Sequence, residues 1–295
     1  MSSKDILVGM SVSEADADEL VRLGLSETHM RHAFTEIVRH LLAGGWAIGY
    51  GGDFRAAGYT AALIDLVRTY DRADLAGPDR VRSYLAWPLW QEMTPARRAE
   101  LANIATVRQA DAPDGAPGTL HPIPDRSPAE LLWNSLALSK MRMLMNSEIN
   151  ARVVLGGRSR GQQGLYPGVV EEAALALKSG IPLYVAGGFG GCGRLIASAL
   201  NGSRPEELSV DYQLVHTPRY AELLGAAASA GQKPEFSDMV HGFVTAGAGG
   251  LNNGLDEQEN RDLFAADDID EIIALILRGL RGVGLTAAPR RRPEA

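Results

Sequence analysis

The stretch that decides the fold is residues 151 to 193, ARVVLGGRSRGQQGLYPGVVEEAALALKSGIPLYVAGGFGGCG. Two short apolar runs each end in a glycine cluster, with a helical pattern between them. It reads as strand, phosphate-type loop, helix, strand, second phosphate-type loop. Each loop falls at the carboxyl end of its strand, where open α/β sheets bind ligands, and each precedes a helix whose free N–H groups favour anions. A nucleotide-like ligand is the leading expectation.

Working outward, strands are expected at Ile6–Met10, Trp46–Tyr50, Arg80–Ala86, Ala105–Gln109, Arg152–Leu155 and Pro182–Ala186. Between them, apolar residues recur at helical spacing. Met30, Phe34, Ile37, Val38, Leu41 and Leu42 make one such face, ended by Gly44 and Gly45. Further helices are expected over Tyr59–Tyr70, after Thr94 with Pro95 at the first position, and over Pro128–Ile149 with Ser127 as cap. Gly168–Lys178 completes the series, residues 110–126 read as loop, and a polar, acidic stretch runs up to Ser26. Alternating strands and helices predict a Rossmann-like α/β fold, a parallel sheet with helices on both faces. Beyond Leu200 the pattern turns helical, at Thr217–Ala230, Phe236–Ala246 and Asp268–Leu280. This gives one domain over 1–285, with a core of about 5–200, a helical extension of about 201–285 and a frayed tail at 286–295.

Composition narrows the class. The formal net charge of −7 over 295 residues argues against an extended nucleic-acid surface, which needs a basic face. A single cysteine, Cys192, excludes an internal disulfide and fits a reducing cytoplasm. No signal peptide or membrane-spanning run is read, the scattered histidines predict no metal site, and no cofactor is expected.

Three glycine sites carry the chemistry. At the first, Gly51 and Gly52 let a ligand approach the backbone, and Asp53 and Arg55 offer a carboxylate and a guanidinium. The second has Gly156, Gly157, Arg158, Arg160 and Gly161 as an anion cradle, then Gly168 and the acids Glu171 and Glu172 opening a helix. At the third are Gly187, Gly188, Gly190, Gly191 and Arg194. There Gly188, Gly190 and Gly193 match the dinucleotide spacing, but no strand and acid follow as that fingerprint requires. Ser11, where the first strand stops, is the remaining ligand candidate. Cys192 stands at a helix start, which favours thiolate, although a small buried residue is the plainer reading.

Together these residues resemble the SLOG superfamily, the Rossmann-like group of Smf and LOG proteins. LOG enzymes carry P-G-G-x-G-T-x-x-E at a strand-to-helix transition. Here GGRSRG is followed by a spacer and then by Pro167, Gly168, Val169, Val170, Glu171 and Glu172. Counted from Gly168, Glu172 falls at the family's catalytic glutamate. The segment YPGVVEEAALALKSGIPLYV is also similar to the nucleoside deoxyribosyltransferase motif, and YGGDFRAAGYT to the LOG segment Y-G-G-G. An insertion with two arginines stretches the loop, and Val169 stands where LOG proteins have Thr. The whole pattern looks most like SLOG branches of bacterial conflict systems. That resemblance implies sensing of a phosphorylated, nucleotide-derived messenger of ADP-ribose type, a homo-oligomer, and an effector protein of a defence system as partner. The alternative it implies is cleavage of an N-glycosidic bond, as by a phosphoribohydrolase or deoxyribosyltransferase, with Glu172 or Glu171 acting at C1′.

Overall fold

The computed structural model describes residues 6–52, 58–70, 80–102, 105–122 and 125–286. Strand β1 (Leu7–Ser13) leads through helices α1 (Ala17–Arg22) and α2 (Glu27–Ala43) to β2 (Ala47–Tyr50). Helix α3 (Tyr59–Tyr70) leads to β3 (Val81–Leu85), and α4 (Trp87–Glu92) and α5 (Pro95–Ala102) lead to β4 (Thr106–Gln109). The long α6 (Pro128–Glu148) crosses back to β5 (Ala151–Gly156), which α7 (Gly168–Lys178) joins to β6 (Leu183–Ala186). Six further helices follow β6 among the described residues without adding a strand: α8 (Gly191–Leu200), α9 (Val210–His216), α10 (Tyr220–Ser229), α11 (Phe236–Ala246), α12 (Glu257–Ala265) and α13 (Ile269–Gly282).

All strand pairings are parallel and the order is β4-β3-β2-β1-β5-β6. This is the Rossmann-like α/β fold expected from the alternating pattern, with helices following the sheet toward the C-terminus. The strand order reverses between β1 and β5, so the two chain halves leave that point in opposite directions. A crevice at the carboxyl ends of those strands follows from the topology.

The alternation of side chains along the strands feeds two apolar layers. Val8, Met10, Val12, Val153 and Leu155 pack with α2, α3 and α13 on one face. On the other, Val154, Leu183 and Val185 meet α7, α8, α10 and α11, while Leu7, Ala47 and Tyr84 meet Met141, Met145 and Ile149 at α6. Gly9 is required by that second layer, since a Cβ there would stand 2.8 Å from Ile149 Cδ1.

Helix α6 starts on a capping box. Ser127 Oγ accepts from the Glu130 amide, and the Glu130 carboxylate accepts from the Ser127 amide at 2.8 Å. Backbone donors from His121 and Ser127 hold the Glu130 carboxyl down at about 2. Helix α1 lies in the polar, acidic stretch before Ser26, to which the sequence assigns no element. Only one large apolar side chain, Leu20, is buried there, so hydrophobic periodicity gave no signal.

Both sheet edges are protected. β4 is short and ends in exposed Arg108 and Gln109. Along β6, the Leu183 amide donates to Leu251 O at 3.1 Å, Asn253 Nδ2 donates to Leu183 O at 2.8 Å and Tyr184 Oη donates to Asn253 O at 2.7 Å. Residues 251–253 therefore take up the outward amide and carbonyl of Leu183, where β6 begins, and so cover the start of this edge.

Candidate functional site

The residues after β1, β5 and β6 gather on one rim because the strands are parallel. Gly156, Gly157 and Gly161 have φ of +57°, +101° and +68°, a left-handed path that a Cβ would strain. A Cβ on Gly157 would also stand 2.7 Å from Val169 Cγ2, at the start of α7. Beside this loop is a cleft of about 540 Å³ lined by Glu14, Ala15, Asp16, Ala17, Leu20, Val21, Leu25, Ser26, Glu27, Arg158 and Arg160. It stands at the β1/β5 reversal, and its size is that of a small-molecule site. Its walls combine carboxylates, two guanidinium groups and an apolar patch of Leu20, Val21 and Leu25.

The rim arginines are paired within the chain. Arg158 pairs with Glu14, and its amide donates to Ser13 Oγ at 3.2 Å. Arg160 lies 2.6 Å from Asp18 and 3.4 Å from Asp16. Arg194 lies 2.5 Å from Glu19 and 3.6 Å from Glu207. The hydrogen bond from Arg160 holds the Asp18 carboxyl below its ordinary value. Burial pushes Glu27 the other way, above its ordinary value, despite a hydrogen bond from Tyr59 Oη at 3.2 Å.

Beneath the rim, on the α6 and α7 side of the sheet, is a second and wholly different set of charges. Arg152, the second residue of β5, is fully buried. Its Nη1 donates to Glu172 Oε2 at 2.8 Å and to Ser11 Oγ at 2.6 Å, and Ser11 Oγ in turn donates to Glu172. Arg142 on α6 meets Glu171 Oε2 at 2.5 Å, and its Nε is 3.7 Å from Glu172 Oε1. Ser139 Oγ donates to Glu171 Oε1 at 2.5 Å. Two arginines thus balance two glutamates in a nearly dry site. Burial pushes the Arg152 guanidinium pKa down, against the pull of Glu172. A Cβ at Gly168 would meet Arg142 Nη2 at 2.5 Å, so this glycine lets the guanidinium reach the first turn of α7.

Of the glycine-site residues, Asp53 and Arg55 lie outside the described residues. Gly51 faces Met141 Sδ, 2.7 Å from the position of a Cβ, and a Cβ at Gly52 would fall on the Tyr50 ring. At the third loop the chain itself fills the space. A Cβ at Gly187 would stand 2.4 Å from Phe264 O, one at Gly188 2.2 Å from Ala266 O and one at Gly191 2.2 Å from Gly157 O. The Cys192 amide donates to Gly157 O at 2.8 Å, so the start of α8 is already engaged with the β5 loop. Gly190, at φ +74°, faces Leu23 and the Glu19 carboxylate. Cys192 is the small buried residue of the plainer reading, and the helix start does not make it a thiolate. The residue is completely buried, burial pushes the thiol pKa up, and Sγ donates to Arg158 O at 2.8 Å.

Arg142 and Arg152 escaped the sequence reading. Arg142 falls four residues after Leu138 and three before Met145, on the apolar stripe of its helix, and Arg152 sits inside the apolar run ARVVL. A cation on a stripe or in a doubly covered strand needs a buried carboxylate, and that was the available signal.

A family model described as SLOG cluster2 matches residues 2–263. The chain belongs to this SLOG family. No curated protein matches it. Among the described residues no helix is long and apolar enough to cross a membrane, and no group of three or more His, Cys, Asp or Glu is arranged to hold a metal ion. The β1/β5 cleft is lined by residues 14–27 with Arg158 and Arg160, and neither the Arg142–Glu171 nor the Arg152–Glu172 pair contributes to that lining.

Proposed function

We propose that this SLOG protein binds a phosphorylated nucleotide-derived ligand in the β1/β5 cleft and passes the bound state to a partner, without cleaving the ligand. The observation that carries the reading is the cleft itself, which brings the positive-φ loop Gly156–Gly161, Arg158 and Arg160 beside an apolar wall at the reversal of strand order. Phosphate oxygens suit the loop amides and the two guanidinium forks. Leu25, beyond α1, suits the flat face of a base, and Glu27 at the start of α2 suits ribose hydroxyls.

Turnover at C1′ is disfavoured by the state of the two glutamates. Glu172 is 6 % exposed and Glu171 9 %, each already held by an arginine and a serine. A nucleophile or base whose lone pairs are taken by cations is a weak one. Sensing further implies an effector protein, for which the conflict-system resemblance suggests a defence partner, and a homo-oligomer.

A thermal-shift panel of mononucleotides, dinucleotides and ADP-ribose derivatives tests the reading, followed by product analysis of each hit. Ligand at about a hundred times its Kd stabilises by about 2.7 kcal/mol, so a true ligand raises Tm measurably. The expected result is a shifted Tm with the ligand recovered intact. Release of free base, lost in Glu172→Gln, replaces this reading with the glycosidic one. No shift with any member overturns both.

A further inference from the structure

The run Glu14-Ala15-Asp16-Ala17-Asp18-Glu19 places four acids in six residues at the end of β1. Every one of them faces a cation or a backbone donor of the two loops opposite. Glu14 takes Arg158, Asp18 takes Arg160 and Glu19 takes Arg194. Asp16 accepts from the Ser159 amide at 3.1 Å and from Ser159 Oγ at 2.6 Å, besides its pairing with Arg160. The Glu19 carboxylate also stands beside Gly190, where α8 begins. These are the donors that phosphate oxygens would use. Carboxylates of the chain are on them instead.

The outer pairs of this segment are of a kind that can be exchanged. Arg160 and Asp18 are 35 % and 53 % exposed and Arg158 and Glu14 45 % and 28 %, and pairs so open to water are individually weak, whereas the Asp16 and Glu19 carboxylates lie deeper, at 12 % and 9 %. Helix α1 has six residues, anchors itself by Leu20 and leaves Val21 and Leu23 in solvent. A phosphate group offers an arginine two oxygens in a fork and more charge than one carboxylate. Resting on the ligand-binding reading above, we infer that the segment from Glu14 to Leu23 is an internal counter-anion. It holds the rim arginines until phosphate oxygens replace its carboxylates, and the exchange frees α1 to move. Binding and the release of α1 are then one event, which supplies the change of shape a sensor must report.

The opposite arrangement, in which the same acids help to hold the ligand, predicts the opposite response to their neutralisation. Isothermal titration of inorganic pyrophosphate into the full chain and into Asp16→Asn/Glu19→Gln separates them. The neutralised variant is expected to bind about tenfold tighter or better, because the competing charge is gone. Equal or weaker binding by a variant with a wild-type circular dichroism spectrum overturns the exchange. Amide hydrogen exchange in the unaltered protein provides a second measurement that does not depend on the variant folding. Pyrophosphate at saturation is expected to speed exchange across residues 17–23 several-fold, and slowed or unchanged exchange overturns the inference. If nucleotides still shift the wild-type Tm, only the exchange is lost; if no nucleotide shifts either protein, the site reading falls with it.

Discussion

Arg152 and Glu172 pair at 2.8 Å beneath α7 with 0 % and 8 % of their side chains exposed, whereas Arg160 and Asp18 pair at 2.6 Å on the rim with 35 % and 53 % exposed. The contact lengths are nearly the same and the chemistry is identical. What differs is the medium. In the buried set each charge has lost its water and depends wholly on its partner, so the pairing fixes β5, α6 and α7 against one another. On the rim, water and salt compete for both groups, so the same contact is weak enough to be replaced. A charge pair in this fold is thus a fastening or a latch according to its depth.

Breaking the buried set should have the largest effect. Arg152→Met leaves the buried Glu172 with only the Ser11 hydroxyl and the longer 3.7 Å contact to Arg142, and is expected to cost about 3–5 kcal/mol, read by urea unfolding. Arg152→Met/Glu172→Met removes both charges and should recover much of that loss, so a double-mutant cycle should give a coupling of about 2 kcal/mol or more. A coupling near zero would show that the depth of the pair does not matter. Next comes Gly188→Ala, whose Cβ would stand 2.2 Å from Ala266 O, a backbone atom that cannot swing aside. It should cost about 1–3 kcal/mol of stability through overpacking, without touching the cleft arginines.

Rim changes should be small in stability and large in binding. Arg158→Ala should move unfolding by less than about 1 kcal/mol while weakening nucleotide binding severalfold by titration. The smallest expected effect is a pH signature at Glu27. Its folded carboxyl titrates above the ordinary 4.5, chiefly through burial, so the folded state holds that proton more tightly than the unfolded chain. Stability therefore falls as pH rises from about 4.5 through the raised value. Glu27→Gln should raise Tm slightly at pH 7, and the gain should vanish below about pH 4. Asp18, shifted downward by Arg160, has the opposite sign: its contribution is present above 3.8 and is lost as pH falls through the lowered value. A wild-type gain at neutral pH from Glu27→Gln that persists at pH 3 would contradict this account.

The sheet and its helices were legible because strands such as Arg152–Leu155 and helices such as Phe236–Ala246 bury enough apolar residues to show their period. Helices α1, α9 and α12 were not, since short polar helices bury too few side chains to leave a pattern. The glycine loops could be read, but not what they meet. Arg160 and Asp18 are separated by 142 residues, and nothing local in RSRG or EADADE names the other as its partner. The same holds for Gly187 and Gly188. Their lack of a side chain reads as room for a ligand, whereas the backbone at Phe264–Ala266 uses that room. Local chemistry reveals which groups want a partner; only the fold decides whether that partner is a ligand or the chain.

The cover on β6 bears on how the protein is made. Tyr184 and Leu183 bond to Asn253, 69 and 70 residues later, so this strand stands unguarded on a growing chain until those residues have left the ribosome. Meanwhile β4, at the far edge, carries its own protection in its sequence. Slow synthesis or premature termination between β6 and Asn253 should therefore produce material that associates through one edge of the sheet and not the other.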